Sequence, residues 1–310
     1  MANDREHAWP NFQTLTMEGQ SAARAWVAMQ DKVVVITGGT SGIGQVAAET
    51  FASHGARIVL IARDQARAAE TMAKLRAAGP HAKHSLHVAD LSSIVQTRSM
   101  GERIAAAEPR IDVLINNAGA VFSRRQLTPE ELEMTFATNH MAYFVLTQAL
   151  LERLMVTAGA RIVSTSSSAH ASGTLNFEDL QSERTYSGFR AYATSKLCNV
   201  LFTRELARRL AGTGVTANCL HPGFVASRFG SQSGGLIQFI SPVAKLFAVT
   251  PKQGAETIIH LATSPQVAGM TGLYFYKRKP VNTSPAARDD AAAGRLWAAS
   301  EAIAAPVRPS

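Results

Sequence analysis

Short, almost wholly apolar runs alternate with helical stretches along this chain, and that alternation constrains the fold more than any single motif. Val33-Val34-Val35-Ile36-Thr37 has no polar face, the pattern of a strand buried on both sides. Comparable runs are Arg57–Ala62, His84–Val88, Asp112–Asn116, Arg161–Thr165, Val215–Leu220 and Thr271–Tyr276. Between them the spacing predicts helices at about 43–54, 64–78, within 92–107, 129–157, 190–212 and 255–263. Asp64 is placed to cap the second of these, while Gly55 and Gly79-Pro80 stop the first two. Strands joined by helical crossovers pair in parallel, so the expected fold is α/β, a doubly wound parallel sheet. The chain has 310 residues, a common size for one such domain. No internal repeat or Pro/Gly/Ser linker divides it. Residues 1–30 show no strand and are expected to be an N-terminal extension, with a short helix at 20–29. The domain proper starts at 31 and runs to about 305.

Two stretches break the alternation. Residues 168–189 are polar with scattered aromatics and suit either a binding loop or a disordered one. Residues 228–250 carry Phe229, Leu236, Ile237, Phe239, Ile240, Val243, Leu246 and Phe247 with few charges, and are expected to form an apolar lid over a substrate pocket.

Composition removes several function classes. The formal charge is +8, but the basic residues are scattered, so no nucleic-acid partner is expected. An anionic small ligand accounts for part of the bias. No run is long and apolar enough for a transmembrane segment, and the start lacks the pattern of a secretory signal. The two cysteines, Cys198 and Cys219, are too few for a disulfide framework and read as small core residues. A reducing, cytoplasmic setting follows. His81, His84 and His87 are spaced along a loop and strand in a way that gives no common metal-facing side, and no metal is expected. His221, before Pro222, reads as a turn-shaping residue.

The first strand runs directly into Gly38, Thr40, Ser41, Gly42, Ile43 and Gly44. Glycines here let backbone N–H groups approach a pyrophosphate, whose charge sits well at a helix N-terminus. The spacing is G-x-x-x-G-x-G. At the end of the second strand, where an acid would hold the ribose of NAD, stand Ala62 and Arg63. An arginine there suits a 2′-phosphate, so NADP(H) is expected. After the third strand come Asp90 and Leu91; Asp90 suits a contact to adenine, a helix N-cap, or both. Asn116-Asn117-Ala118-Gly119 closes the fourth strand, where small residues permit close approach of the cofactor.

Tyr192 and Lys196 stand at i and i+4 of a predicted helix and share a face. An ammonium and a nicotinamide cation near the phenol are expected to lower its pKa from about 10. Tyr192 can then exchange a proton with an alcohol or carbonyl oxygen, and Ser167, at the end of the fifth strand, can bond that oxygen. Ser166, Ser167 and Ser168 form a run, so the choice among them rests on register. Tyr186 and Arg190 repeat the spacing without the lysine.

T-G-x-x-x-G-x-G, N-N-A-G, the strand-terminal serine, Y-x-x-x-K and Pro222-Gly223 together resemble the short-chain dehydrogenase/reductase family, over about residues 31–305. Leu60–Asp64, Ala191–Leu197, His221-Pro222-Gly223, Ser284–Asp289 with Arg295-Leu296-Trp297, and the wide gap before Tyr192 are most similar to its retinol dehydrogenase-type branch. The resemblance implies a Rossmann fold and an oxidoreductase interconverting an alcohol and a ketone or aldehyde. It implies that Asn139, Ser167, Tyr192 and Lys196 are catalytic, Asn139 holding a water in a relay to Lys196. It places Pro222, Gly223, Val225 and Ser227 at the nicotinamide and Lys196 at its ribose. Assembly through two long central helices, as a homodimer or homotetramer, is implied as well. The family's animal retinol dehydrogenases often carry an N-terminal apolar anchor, and residues 1–30 show none. A small lipophilic carbonyl or alcohol is the expected substrate. The alternatives are a non-catalytic NADP(H) sensor or scaffold, and a peripheral membrane protein that uses 228–250 to sit on lipid.

Overall fold

The computed structural model describes residues 29–224 and 249–305. The proposed helix at 20–29, apart from its last residue, lies outside the described residues, as do Val225, Ser227 and nearly all of 228–250. Eight strands form one sheet: β1 (Val33–Thr37), β2 (Arg57–Ala62), β3 (Ser85–Val88), β4 (Val113–Asn116), β5 (Arg161–Thr165), β6 (Thr216–Leu220), β7 (Tyr274–Tyr276) and β8 (Lys279–Pro280). Their order is β3-β2-β1-β4-β5-β6-β7-β8. Every pairing from β3 through β7 is parallel, and only β8 returns antiparallel, on the edge. The strand order reverses beside β1, which places a crevice at the carboxyl ends of β1 and β4.

The two faces of the strands alternate as the period of two requires. Val34, Ile36, Ile58, Leu60, Val113, Ile115 and Val163 pack under α1 (Gly42–Ser53), α2 (Gln65–Ala78) and α7 (Pro251–Thr263). Val33, Val35, Val59, Ile61, Leu114 and Ile162 pack under α3 (Ile94–Ala107), α5 (Ala142–Met155) and α6 (Gly188–Arg209). Because both faces are covered, neither set of side chains can be polar, and the strands read as unbroken apolar runs.

Several expected elements shift. The helix predicted from 129 begins at Met134, because Leu127 bridges Glu133 and the chain turns between them. The Glu133 carboxylate then caps the new helix through the N–H groups of Thr135 and Phe136. A short α4 (Met134–Phe136) passes into a π-helical turn at Ala137–Met141 before α5 starts. Asp90 does not cap α3: the helix begins four residues later, and Ser93 accepts from Gln96 N instead. Asp90 folds back on the Ser92 N–H and hydroxyl. Helix α7 starts four residues before the expected 255, set by a capping box between Thr250 and Gln253 with Pro251 at the first helical position. The strand expected over 271–276 is regular from Tyr274, although Gly272 N and Leu273 O already bond to β6.

A final helix, α8 (Asp290–Ala304), lies along α6. Trp297 stacks on Phe202 at 5.9 Å and meets Phe144 edge-on at 5.0 Å, and the Arg209 guanidinium lies 4.3 Å from its ring centre. Ser300 reaches His140 Nε2 at 2.8 Å. With α8 in place, α6 is buried around its circumference from Ser195 to Ala207, apart from Arg204, which is partly exposed.

Candidate active site

The glycine loop joins β1 to α1 with almost no spare volume. Gly38 and Gly42 have φ of +66° and +56°, a region that glycine enters without steric cost. A Cβ on Gly44 would stand 2.3 Å from the carbonyl oxygen of Gly38, a backbone atom that cannot swing aside. A Gly44→Ala variant is expected to lose about 1–3 kcal/mol of stability, measured by urea unfolding; an unchanged midpoint would show that the loop can yield. Ser41 precedes α1 without capping it through its side chain, and the first turn carries no acid. The leading amides therefore suit an anionic ligand.

Thr37 and Asn117 build this loop from below. The Thr37 hydroxyl accepts from the N–H groups of Asn117 and Ala118 at 2.9 and 3.0 Å. The Asn117 amide donates to the carbonyls of Thr37 and Gly38, and its oxygen accepts from the Thr165 hydroxyl at 3.2 Å. The Asn117 side chain, expected beside the cofactor, thus serves to tie the ends of β1, β4 and β5 together. Neither Thr37 nor Thr165 stands out in the sequence; a threonine that closes an otherwise apolar strand is the signal that was there. A Cβ on Gly119 would come within 3.1 Å of Asn139 Oδ1 and 3.4 Å of Lys196 Nζ, so glycine is what lets this turn meet both residues.

The structure brings Ser167, Tyr192, Lys196 and Asn139 together at the carboxyl ends of β4 and β5. The three serines of the run differ in their contacts. Ser166 is buried and donates to the Lys196 carbonyl at 2.8 Å, Ser168 is exposed, and the Ser167 hydroxyl bonds the Tyr192 phenol. Ser167 also caps a short 3₁₀ turn at Ser168–Ser172. His170 in that turn, which the sequence reading passed over, bonds the Ser167 carbonyl through Nδ1 at 2.8 Å and accepts from Ser284 N through Nε2.

Lys196 is 2% exposed, and its Nζ donates to the Thr165 carbonyl at 3.1 Å. Burial alone brings its pKa down to about 7. Tyr192 departs from expectation. The residue is partly exposed, yet burial holds the phenol above its ordinary value, and the Ser167 hydrogen bond offsets this only in part. The lysine next to it is itself desolvated and only partly charged at neutral pH, so the ammonium by itself does not offset this burial. Asn139 is fully buried in the π-helical turn. Its side chain accepts from Ala120 N at 2.8 Å and donates to Ala120 O and Ser195 Oγ at 2.9 and 3.0 Å. Ser195 in turn donates to the Tyr192 carbonyl. A helix-interior asparagine is accommodated here because it satisfies both backbone groups of the neighbouring loop; π-helical turns are frequent at functional sites.

The remaining candidates fall around this centre. Arg63 is exposed at the end of β2. Asp64 next to it caps α2 through Arg67 N and pairs with the Arg67 guanidinium at 2.9 Å. His221 Nδ1 accepts from Gly223 N and the ring stacks on Tyr276 at 4.1 Å, a turn-shaping arrangement. Tyr186 lies within hydrogen-bond reach of the Phe122 carbonyl and Glu133 Oε1, with its pKa pushed up to about 12 chiefly by burial. With Gln181, which accepts from Glu133 N, it anchors 168–189 as an ordered loop on the turn after β4. His84 is spent on Ile58 N and Gly79 O. Among the described residues, no group of His, Cys, Asp and Glu is placed to hold a metal, and no helix is long and apolar enough to cross a membrane.

Residues 32–234 match the family model described as short chain dehydrogenase. The chain belongs to this family and is an oxidoreductase. It is 42% identical over 289 residues to mouse (Mus musculus) retinol dehydrogenase 14, covering 89% of this chain and 86% of that protein. It is 40% identical over 274 residues to human (Homo sapiens) retinol dehydrogenase 12, covering 88% and 86%. Within the short-chain dehydrogenases it is therefore retinol dehydrogenase-like. Among solved structures, an uncharacterised protein from Mycobacterium paratuberculosis superposes with a TM-score of 0.72 at 30% identity, covering 90% of this chain and 96% of that one. A short chain dehydrogenase from Burkholderia cenocepacia in complex with NADP gives 0.63 at 26% identity, covering 80% and 96%.

Proposed function

We propose that this short-chain dehydrogenase is an NADP(H)-dependent enzyme that interconverts an alcohol with a ketone or aldehyde on a lipophilic substrate. The observation that carries the reading is the Ser167 hydroxyl bonded to the Tyr192 phenol, with buried Lys196 one helical turn away. A bound nicotinamide cofactor supplies or accepts the hydride. In reduction Tyr192 gives its proton to the carbonyl oxygen, which Ser167 holds by a hydrogen bond. A phenol kept protonated by burial suits that donor role. Asn139, locked to Ala120 and Ser195, keeps the start of α5 against α6 and so fixes the distance between these groups.

The residues present fit the cofactor. The tight turn that Gly38 and Gly44 permit and the uncapped start of α1 suit a pyrophosphate, and Gly119, Pro222 and Gly223 stand at the carboxyl ends of the strands. Arg63, exposed at the end of β2, suits a 2′-phosphate, and the NADP complex of the Burkholderia relative supports the same choice. Val225 and Ser227 are proposed at the nicotinamide from the family pattern alone. The lipophilic substrate class rests on the apolar composition of 228–250 and on the retinol dehydrogenase relatives. Phe224 O accepts from Val249 N at 2.7 Å, so the chain leaves and re-enters the described structure at one point, against Gly223.

Turnover of a panel of lipophilic aldehydes, ketones and alcohols with NADPH and NADH tests the proposal. Reduction of at least one carbonyl, faster with NADPH, is expected; tight NADPH binding with no turnover of any compound would favour the sensor or scaffold instead. In Arg63→Glu the ratio of kcat/KM for NADPH over NADH is expected to fall by about 10- to 100-fold, the loss of one charge-assisted contact made worse by a like charge. An unchanged ratio would remove Arg63 from the 2′-phosphate site.

A further inference from the structure

Tyr143 lies on α5 one turn beyond Asn139 and is 1% exposed, yet its hydroxyl has no hydrogen-bond partner among the described residues. Its ring centre is 5.9 Å from Lys196 Nζ, and that of Tyr192 is 5.6 Å from the same atom. A buried hydroxyl without a partner is costly, and the exceptions call for a reason. Two further buried atoms are in the same condition, Asn116 Oδ1 and Asn199 Oδ1. Their residues belong to the same network: Asn199 Nδ2 donates to the Thr165 carbonyl that Lys196 also uses, and Asn116 Nδ2 donates to Thr147 Oγ1, one turn past Tyr143. These three groups stand on α5, on α6 and at the end of β4, and among the described residues the one hydrogen bond seen for Lys196 Nζ is to the Thr165 carbonyl. Buried water typically makes about three hydrogen bonds to groups of this kind.

We propose that Tyr143 is a positioning residue for the proton transfer at Tyr192, its hydroxyl anchoring a buried water that also bonds Lys196 Nζ. This rests on the proposed roles of Tyr192 and Lys196. When Tyr192 gives its proton to the substrate oxygen, a proton returns to the phenolate from Lys196, and one from solvent reaches the lysine through the anchored water. Each group ends the cycle in the state it began. Burial pushes the Tyr143 phenol well above its ordinary range, and the neighbouring Tyr192 adds to this, so Tyr143 itself stays neutral and acts only by holding the water.

Tyr143→Phe removes the oxygen and keeps the ring. With NADPH and decanal, kcat is expected to fall by about tenfold, less than the loss of a direct proton donor. KM for both substrates should stay within about twofold, and the solvent deuterium isotope effect on kcat should rise as proton return becomes limiting. Thermal unfolding should show the variant as stable as the parent, separating this result from a folding defect. A high-resolution crystal structure of the cofactor-free protein should show a water bonded to Tyr143 Oη that is missing in Tyr143→Phe. A kcat and isotope effect equal to the parent's would overturn the proposal, as would an Oη with no water. Failure of the parent on every carbonyl would instead overturn the proposed function, and the crystal structure would still decide whether Oη is bridged.

Discussion

Tyr192→Phe is expected to lower kcat for carbonyl reduction by about 10²–10⁴-fold, the usual contribution of a placed proton donor. NADPH affinity should change little, because the dinucleotide contacts proposed for the glycine loop and Arg63 lie elsewhere. The hydroxyl removed is the one that Ser167 bonds, and no other described side chain is seen to offer Ser167 an equivalent partner. Steady-state rates with fluorescence titration of NADPH separate the two effects. Retention of more than about a tenth of the parent rate would reassign the proton donor.

Lys196→Met should show opposite effects on activity and stability. Activity should fall by a comparable factor, since the ammonium lies beside the phenol and has no described substitute. Stability should rise. In an unfolded chain the lysine titrates near 10.4, and in the folded protein near about 7. Between those values the unfolded chain holds a proton that the folded one lacks, so this group makes the parent less stable as the pH falls. The penalty is complete below about pH 7 and gone above about pH 10.5. The methionine variant escapes it, and Asn199 still serves the Thr165 carbonyl. Its gain in Tm should therefore be largest near pH 6.5 and shrink toward pH 10, by about 2–4 °C for each kcal/mol recovered. Calorimetry across that range checks it; a variant less stable than the parent at pH 6.5 would mean that the Thr165 bond outweighs the buried charge.

The sheet was legible because its strands are covered on both faces, which forces runs such as Val33–Thr37 to be apolar throughout. The site was legible where function fixes spacing along one element, as for Tyr192 and Lys196 on α6. What stayed hidden depends on contacts between distant segments. The Asn117 side chain looks free to meet a cofactor until Thr37, Gly38 and Thr165 are seen to occupy it. The phenol's shift could not be judged from the nearness of Lys196 in sequence, because the surrounding fold desolvates both groups. Helix α8 escaped notice because its inward positions include Ala293, Ser300 and Ala304, whose small side chains give little apolar contrast. The start of α7 was written in Thr250-Pro251-Lys252-Gln253, a capping signal that the apolar pattern alone does not show.

Helix α8 bears on how α6 is held in place. Trp297 packs on Phe144 of α5 and Phe202 of α6, the two long helices through which the family resemblance implies assembly. The rear of the catalytic helix is closed by the chain's own last turns. Its weak point is the C-terminus: loss of the last fifteen described helical residues (Asp290–Ala304) would uncover Phe202 and Phe144 and leave the back of the helix that carries Tyr192 and Lys196 without its cover.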